Sequence, residues 1–408
     1  MSGVDDGAAP AAGADPRPGP RDGSRSGGRP GFGGRPARVL LLVTELLPAG
    51  AERVVFELAT RLPRARWEVR VCSLRSPGGE DGAVARELLA AGVPVQPLRF
   101  QGKLDVRSAL RLARELASFR PDVLHAHLFH ANLAARLLGR AAGARRVLST
   151  VHVVERRPLR ARRLLERLTA RRDDLTVCVS NTVAEHARAD LGVRRERLRV
   201  VENGVDLARF ASPEPAAAAR AALGLPPTGL VVGAVGRLSR QKGFDVLLEA
   251  FARLLRARSD VHLVIAGAGE EEAALRARAR TLGLGDRARL LGFRPDTPRV
   301  LAALDVFCMP SRWEGFGLAL VEALAAGRPA VVSAVDSLPE VLGGAGLLVA
   351  PDDPPGLAAA LEQLLSDPSA RAALVAPARE RAARYGVERM VAGYEALYLE
   401  LLNAGPPV

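Results

Sequence analysis

From residue 37 onward the chain alternates between short, continuously apolar segments and longer segments that are apolar on one side only. The run ARVLLLVTE (37–45) is continuously apolar from Val39 to Val43, which is the pattern of a parallel strand covered on both faces. Further strands are expected over 68–74, 93–98, 122–127, 146–151 and 174–180. Helices are expected near 51–62, 105–118, 130–142, 159–171 and 181–190. Strands alternating with helices predict an α/β protein with a doubly wound parallel sheet.

The alternation breaks at Asn203-Gly204-Val205-Asp206 and through Pro213, Pro215, Pro226 and Pro227, then resumes at GLVVGAVGRL (229–238). Strands of this second series are expected at 261–267, 287–293, 305–310 and 329–334, and helices at 356–365, 369–382 and 387–402. Two Rossmann-like domains joined near 203–228 account for the pattern. Ligands of open parallel sheets bind beyond the carboxyl ends of the strands, so two such domains are expected to face a central cleft. No repeat of about 20–50 residues is visible, which argues against a solenoid.

Composition adds three points. Residues 1–36 are Gly, Pro, Ala, Ser, Arg and Asp with almost nothing apolar, too little to offset the entropy of ordering, so a disordered tail is expected. The rest is ordinary for a soluble protein, 48% hydrophobic and 25% charged. No run approaches about 20 apolar residues, and no apolar core follows the first charges, so neither a transmembrane helix nor a secretory signal is expected. Cys72, Cys178 and Cys308 each lie inside an apolar run and read as buried thiols rather than a disulfide frame or zinc site. A reducing cytoplasm suits them.

The net charge of +13 is regional: residues 101–200 hold 22 Lys and Arg against 10 Asp and Glu, a difference of +12. Such a surface could attract phosphates, nucleic acid or an anionic membrane; solvated arginines explain it equally well. The stretch ERRPLRARRLLERLTARR (155–172) is the densest part. Its Leu164, Leu165 and Leu168 share one helical face and are expected to be core. Its arginines, Arg156 to Arg172, are candidates for peripheral contact with anionic lipid at the inner face of a membrane. With two tryptophans, three tyrosines and no recognisable binding motif, nucleic-acid binding ranks last.

Candidate chemistry concentrates in two strand-to-helix turns. In Arg312-Trp313-Glu314-Gly315-Phe316-Gly317-Leu318 a strand ends, a Gly-containing loop follows, and a helix starts near Gly317. That arrangement offers backbone N–H groups to an anion or a hydroxyl-rich ligand. Glu314 in the loop and Glu322 about one turn into the helix can face the same cleft, and a carboxylate suits a vicinal diol. In Gly236-Arg237-Leu238-Ser239-Arg240-Gln241-Lys242-Gly243, Arg237 and Lys242 flank a turn, an arrangement suited to a diphosphate. Either segment alone could be a solvated turn.

Taken together, GRLSRQKGFD, GAGEEEAAL (267–275), PSRWEGFGLALVEALAAGRPAVVSA (310–334) and LPEVL (338–342) resemble glycosyltransferase family 4, from about Arg38 to about residue 400. The resemblance implies a retaining enzyme of the two-domain GT-B fold. It places residues 37–204 as the acceptor-side domain and 205–385 as the nucleotide-sugar domain. The last segment, 386–408, would pack back on the first.

The resemblance also implies roles for matching residues. Glu314 would lie against the transferred sugar and Glu322 on the donor ribose. Arg237 and Lys242 would hold the diphosphate and stabilise its departing charge. The backbone of Gly315, Phe316, Gly317 and Leu318 would touch sugar hydroxyls and phosphate, and Phe293 and Arg294 would sit by the base. Gly50 would let the first loop approach the phosphates, although Ala49-Gly50 stands where the family has two glycines. His127, ending DVLHAH, would reach the donor sugar, and His152 would contribute on the acceptor side. From the strand period alone, His125 is expected to point to the opposite strand face and to be structural.

The donor would be a UDP- or GDP-linked hexose and the acceptor an unidentified hydroxyl, with lipid-linked or cell-envelope glycans as the candidate class. No Asp-x-Asp element or ligand-spaced His/Cys/Asp cluster is present, so no catalytic metal and no cofactor are expected. The alternatives are a sugar-nucleotide epimerase or hydrolase of the same fold, and a non-catalytic relative.

Overall fold

The computed structural model describes residues 34–75, 82–102, 105–153 and 160–404. Most of the expected tail, and Arg156 and Arg157 of the basic stretch, lie outside them. Two wholly parallel sheets carry the described chain. The first contains β1 (Ala37–Val43), β2 (Trp67–Ser73), β3 (Val95–Pro97), β4 (Val123–His127), β5 (Arg146–Val151), β6 (Leu175–Cys178) and β7 (Leu198–Val200), in the order β3-β2-β1-β4-β5-β6-β7.

The second contains β8 (Leu230–Val235), β9 (Val261–Ala266), β10 (Ala288–Gly292), β11 (Val306–Met309), β12 (Ala330–Ser333) and β13 (Gly346–Val349), in the order β10-β9-β8-β11-β12-β13. Both sheets reverse direction at their middle, between β1 and β4 and between β8 and β11. These are the topological switch points where α/β sheets open a crevice.

Burial explains why the strands form where they do. Val39 to Val43 are fully buried, covered by helices on both faces, and each leucine among them contributes about 1.5–3 kcal/mol by leaving water. The short β7 and β13 were not anticipated. They are edge strands of three and four residues, too short to show a period.

The expected core role of Leu164, Leu165 and Leu168 is not what the structure has. In the helix Arg160–Thr169 these side chains are 57%, 38% and 61% exposed. The helix is held by its arginines instead: Arg162 lies 3.9 Å from the centre of the Phe129 ring and Arg163 pairs with Asp190. Anchored through Arg162 and Arg163, the helix leaves its leucines facing solvent.

Within the unit Pro36–Val408 the chain crosses between the sheets twice, and the crossings are joined. Val205 N–H donates to Tyr385 O (2.8 Å) and Val387 N–H to Val205 O (3.0 Å). A Cβ at Gly204 would lie 2.6 Å from Val387 Cα, so the two backbones meet this closely only because that residue is glycine. The final helix, Val387–Asn403, lies against the first sheet. Trp67 Nε1 donates to Glu395 (2.7 Å), His125 Nδ1 bonds Tyr398 Oη (2.7 Å), and Arg146 Nε donates to Leu401 O (2.9 Å).

Candidate functional site

The loop after β11 is fixed by its own backbone requirements. Gly317 has φ +95°, and a side chain there would meet Leu338 at 2.7 Å. The helix Leu318–Ala325 begins immediately after it. Glu314 in this loop is buried; its Oε1 accepts from Ser311 Oγ (3.0 Å) and pairs with Lys242 Nζ, while its N–H donates to Asp336 Oδ2 (2.8 Å).

The loop after β8 is locked to the first by close backbone approach. A Cβ on Gly243, at φ +63°, would lie 2.1 Å from Pro310 O at the end of β11; on its other side the loop meets the one after β9, where a Cβ on Gly267 would lie 1.8 Å from Gly236 O. Gln241 Nε2 donates to Trp313 O (2.9 Å), and Arg312 forks onto Asp245 at 2.8 and 2.7 Å. Lys242 is thus delivered to Glu314, while Arg237 stays exposed at the loop's start. The two sequence motifs form one loop pair.

Glu322 is half-buried on the helix and makes no side-chain hydrogen bond or ion pair to the described residues. Burial raises its pKa to about 7, opposed by Arg209 and Arg53. Phe316 is buried edge-on against Tyr385, with ring centres 5.3 Å apart, so only its backbone can meet a ligand. Phe293 is 51% exposed, whereas the Arg294 guanidinium is committed to Asp296 at 2.8 and 2.6 Å.

From the first domain three loops reach this assembly. Gly50 starts the helix Gly50–Arg61, and a Cβ there would come within 3.3 Å of Leu318 Cδ1. The end of β5 presses on Gly315: a Cβ on that glycine would be 1.7 Å from His152 O. Ser180 Oγ donates to Gly315 O (2.9 Å) and also accepts from Val183 N–H (3.2 Å), capping the next helix. Asn181 Nδ2 donates to Glu340 (2.7 Å). The carboxyl ends of the two sheets therefore face one another across Gly315, Leu318, Gly50 and His152.

His127 ends β4, followed by Leu128 at φ +73°, a backbone state costly for a leucine. His127 Nδ1 bonds His152 Nε2 at 3.0 Å, and its buried Nε2 has no partner. The expectation for His125 is corrected here. Residues two apart on a strand share a face, and the His125 and His127 rings are 4.0 Å apart. His125 is structural in another sense: both its nitrogens are used, by Tyr398 and Thr150, at 2.7 Å each. Burial holds all three histidines far below their ordinary pKa, His152 at about 3, so all are neutral.

Sequence reasoning missed Glu52. It is buried, and burial raises its pKa to about 7, opposed by its own backbone N–H and by Arg237 from the second domain. The signal was available: Glu52 lies on the inward face of its helix with Val55 and Ala59, where a carboxylate is out of place unless it faces a cleft. Ser180, Asn181, Ser311 and Asp336 were also missed, since small polar residues at strand ends carry no distinctive spacing. Among the described residues no group of three or more His, Cys, Asp and Glu side chains is placed to hold a metal ion, and no helix is long and apolar enough to cross a membrane.

Comparison with known proteins covers both domains. Residues 216–381 match the family model for glycosyl transferases group 1, and residues 48–209 that for glycosyltransferase family 4. The D-inositol 3-phosphate glycosyltransferase of Corynebacterium urealyticum is 34% identical over 306 residues, spanning 69% of this chain and 72% of that protein. An Escherichia coli UDP-Gal:alpha-D-GlcNAc-diphosphoundecaprenol alpha-1,3-galactosyltransferase is 29% identical over 312 residues, 74% of this chain and 80% of that one. The crystal structure of Anabaena HepE in complex with UDP and glucose superposes with TM-score 0.79 over 89% of this chain and all of that one, at 24% identity.

Proposed function

The chain belongs to glycosyltransferase family 4, with the GT-B fold and a nucleotide-sugar donor, and from that premise we propose the finer reading. It transfers a hexose from a UDP- or GDP-linked donor with retention of configuration, without a metal ion, to a hydroxyl of a lipid-linked or cell-envelope glycan. Residues 37–204 form the acceptor-side domain and 205–385 the donor-side domain.

The observation that carries this reading is the loop pair that joins Lys242 to Glu314 and leaves Arg237 exposed beside them. A diphosphate arriving there meets two cations, and its departing charge is stabilised by Arg237 and Lys242 in place of a divalent ion. Lys242 has three N–H donors, so it can keep Glu314 oriented while it holds phosphate. Glu314 then faces the transferred sugar. Glu322, unpartnered on the helix, accepts from the ribose hydroxyls, and Phe293 offers its exposed ring to the base. The backbone from Gly315 to Leu318 lines the sugar and phosphate. Gly50 admits the first loop to the phosphates, His127 Nε2 reaches the sugar, and Arg294 takes part through its backbone. Attack by the acceptor proceeds on the face the diphosphate leaves, with no protein nucleophile assigned.

The test is a calorimetric titration of the pure protein with UDP and with GDP in EDTA. One nucleotide is expected to bind in the micromolar range, with a loss of about 10- to 100-fold in Glu322→Ala, the worth of a charge-assisted contact. Failure of both nucleotides to bind at millimolar concentration would overturn the reading. The exposed leucines and arginines of the helix Arg160–Thr169 support docking on anionic lipid. Absence of binding to phosphatidylglycerol vesicles at low salt would remove that part.

A further inference from the structure

His125, His127 and His152 stand in a row, with ring centres 4.0 Å and 5.2 Å apart. Each is neutral and so carries one N–H and one lone pair. His125 spends both nitrogens on hydroxyls, which can donate or accept and therefore impose no tautomer. The bond between His127 Nδ1 and His152 Nε2 is different, because two imidazole nitrogens need one proton between them.

Only two arrangements satisfy it. In one, His152 Nε2–H donates to His127 Nδ1, so His127 carries its proton on Nε2 and His152 Nδ1 is a lone pair. In the other, His127 Nδ1–H donates to His152 Nε2, so His127 Nε2 is a lone pair and His152 carries its proton on Nδ1. The two rings must always share one tautomer, and their outer nitrogens must always have opposite character.

We propose that His152 is a positioning residue that sets the tautomer of His127 and, through the shared bond, ties the donor-sugar end of the cleft to the acceptor end. The proposal rests on the reading that His127 faces the donor sugar. It is supported by the orphaned, buried His127 Nε2, which awaits a ligand group, and by the absence of any other hydrogen-bond partner for the His127 ring among the described residues. The His152 backbone is itself fixed against Gly315, so the ring is held by the catalytic loop of the other domain. When a sugar oxygen accepts from His127 Nε2–H, His152 Nδ1 is left as a lone pair, able to accept from the hydroxyl that is to be glycosylated. Donor binding thereby prepares the acceptor end, and no net proton transfer is needed.

Nitrogen-15 NMR of the histidine-labelled full chain, in which each ring's two nitrogens report its tautomer, tests this directly. His127 and His152 are expected in the same tautomer, and His152→Phe is expected to release His127 into a mixture. Opposite tautomers in the wild type, or a His127 ring indifferent to His152→Phe, would overturn the proposal. A kinetic arm measures nucleoside diphosphate release from UDP-glucose and GDP-mannose. His152→Phe is expected to lower kcat roughly 10-fold with KM changed by less than about 3-fold, and His152→Gln, whose amide can still donate to Nδ1, to restore part of it. Equal kcat in wild type and His152→Phe would contradict it. UDP and GDP binding serves as the control: its loss in the wild type would indict the donor-site reading, while the tautomer result stands independently.

Discussion

In the second-domain loops of the cleft the buried carboxylate Glu314 is already partnered, while Glu322 beside it is not; on the first-domain side His127 and Glu52 are buried and incompletely bonded. Glu314 has Lys242, Ser311 and Asp336. By contrast His127 Nε2 has nothing, and Glu52 is kept near neutrality by burial. On the proposed reading, the second-domain loop pair holds a charged ligand without rearranging. The first-domain side is built to be completed by whatever the cleft encloses. Preorganised charge stabilises a leaving diphosphate, whereas unsatisfied buried groups reward closure around a sugar.

The largest effect is expected from breaking the donor side. Lys242→Ala leaves the Glu314 carboxylate buried without its cation, which costs about 3–5 kcal/mol when a buried pair loses one partner. Turnover should fall by at least ~100-fold, measured as nucleoside diphosphate release. Next comes the seam between the sides. Gly315→Ala sets a methyl group 1.7 Å from His152 O, so the loops must part. Turnover is expected to drop roughly 10- to 100-fold, measured as nucleoside diphosphate release. Unchanged turnover would mean that the two domains need not meet at Gly315.

The neutral side is sharpened by pH. Burial raises Glu52 from 4.5 to about 7, so between those values the folded chain keeps a proton that the unfolded chain releases. Stability contributed by this group is therefore full below about pH 4.5 and falls by up to about 3 kcal/mol as pH rises through 7. Glu52→Gln should remove that loss. Urea unfolding at pH 5 and pH 8 checks it: stabilisation by the substitution is expected at pH 8 and little at pH 5. The smallest effect is Tyr398→Phe, which deprives His125 of one buried bond and should cost about 1–2 kcal/mol in urea melts, with nucleotide affinity unchanged.

The same division governed what the sequence disclosed. The paired loops of the second domain were legible because they rest on local motifs: two strand–turn–helix segments whose glycines, Glu314 and Lys242 keep a fixed spacing along the chain. Most strands were legible as well, since buried parallel strands are apolar throughout. The first-domain side was less so. His127 and His152 are 25 residues apart, and only β4–β5 pairing brings their strands together. Glu52 was overlooked as one more polar helical residue. Leu164, Leu165 and Leu168 have a core-like period, but Phe129 and Asp190, far off in sequence, decide which side of that helix is anchored. His125 was misplaced by misreading a two-residue period that the sequence did contain.

The most direct test of the account is transfer chemistry itself. Pure protein in EDTA would be incubated with a panel of UDP- and GDP-sugars, and nucleoside diphosphate release followed beside Glu322→Ala and Lys242→Ala. The account predicts turnover of one donor without added metal, abolished by both substitutions. Release that requires a divalent ion, or that survives the loss of Lys242, would contradict it.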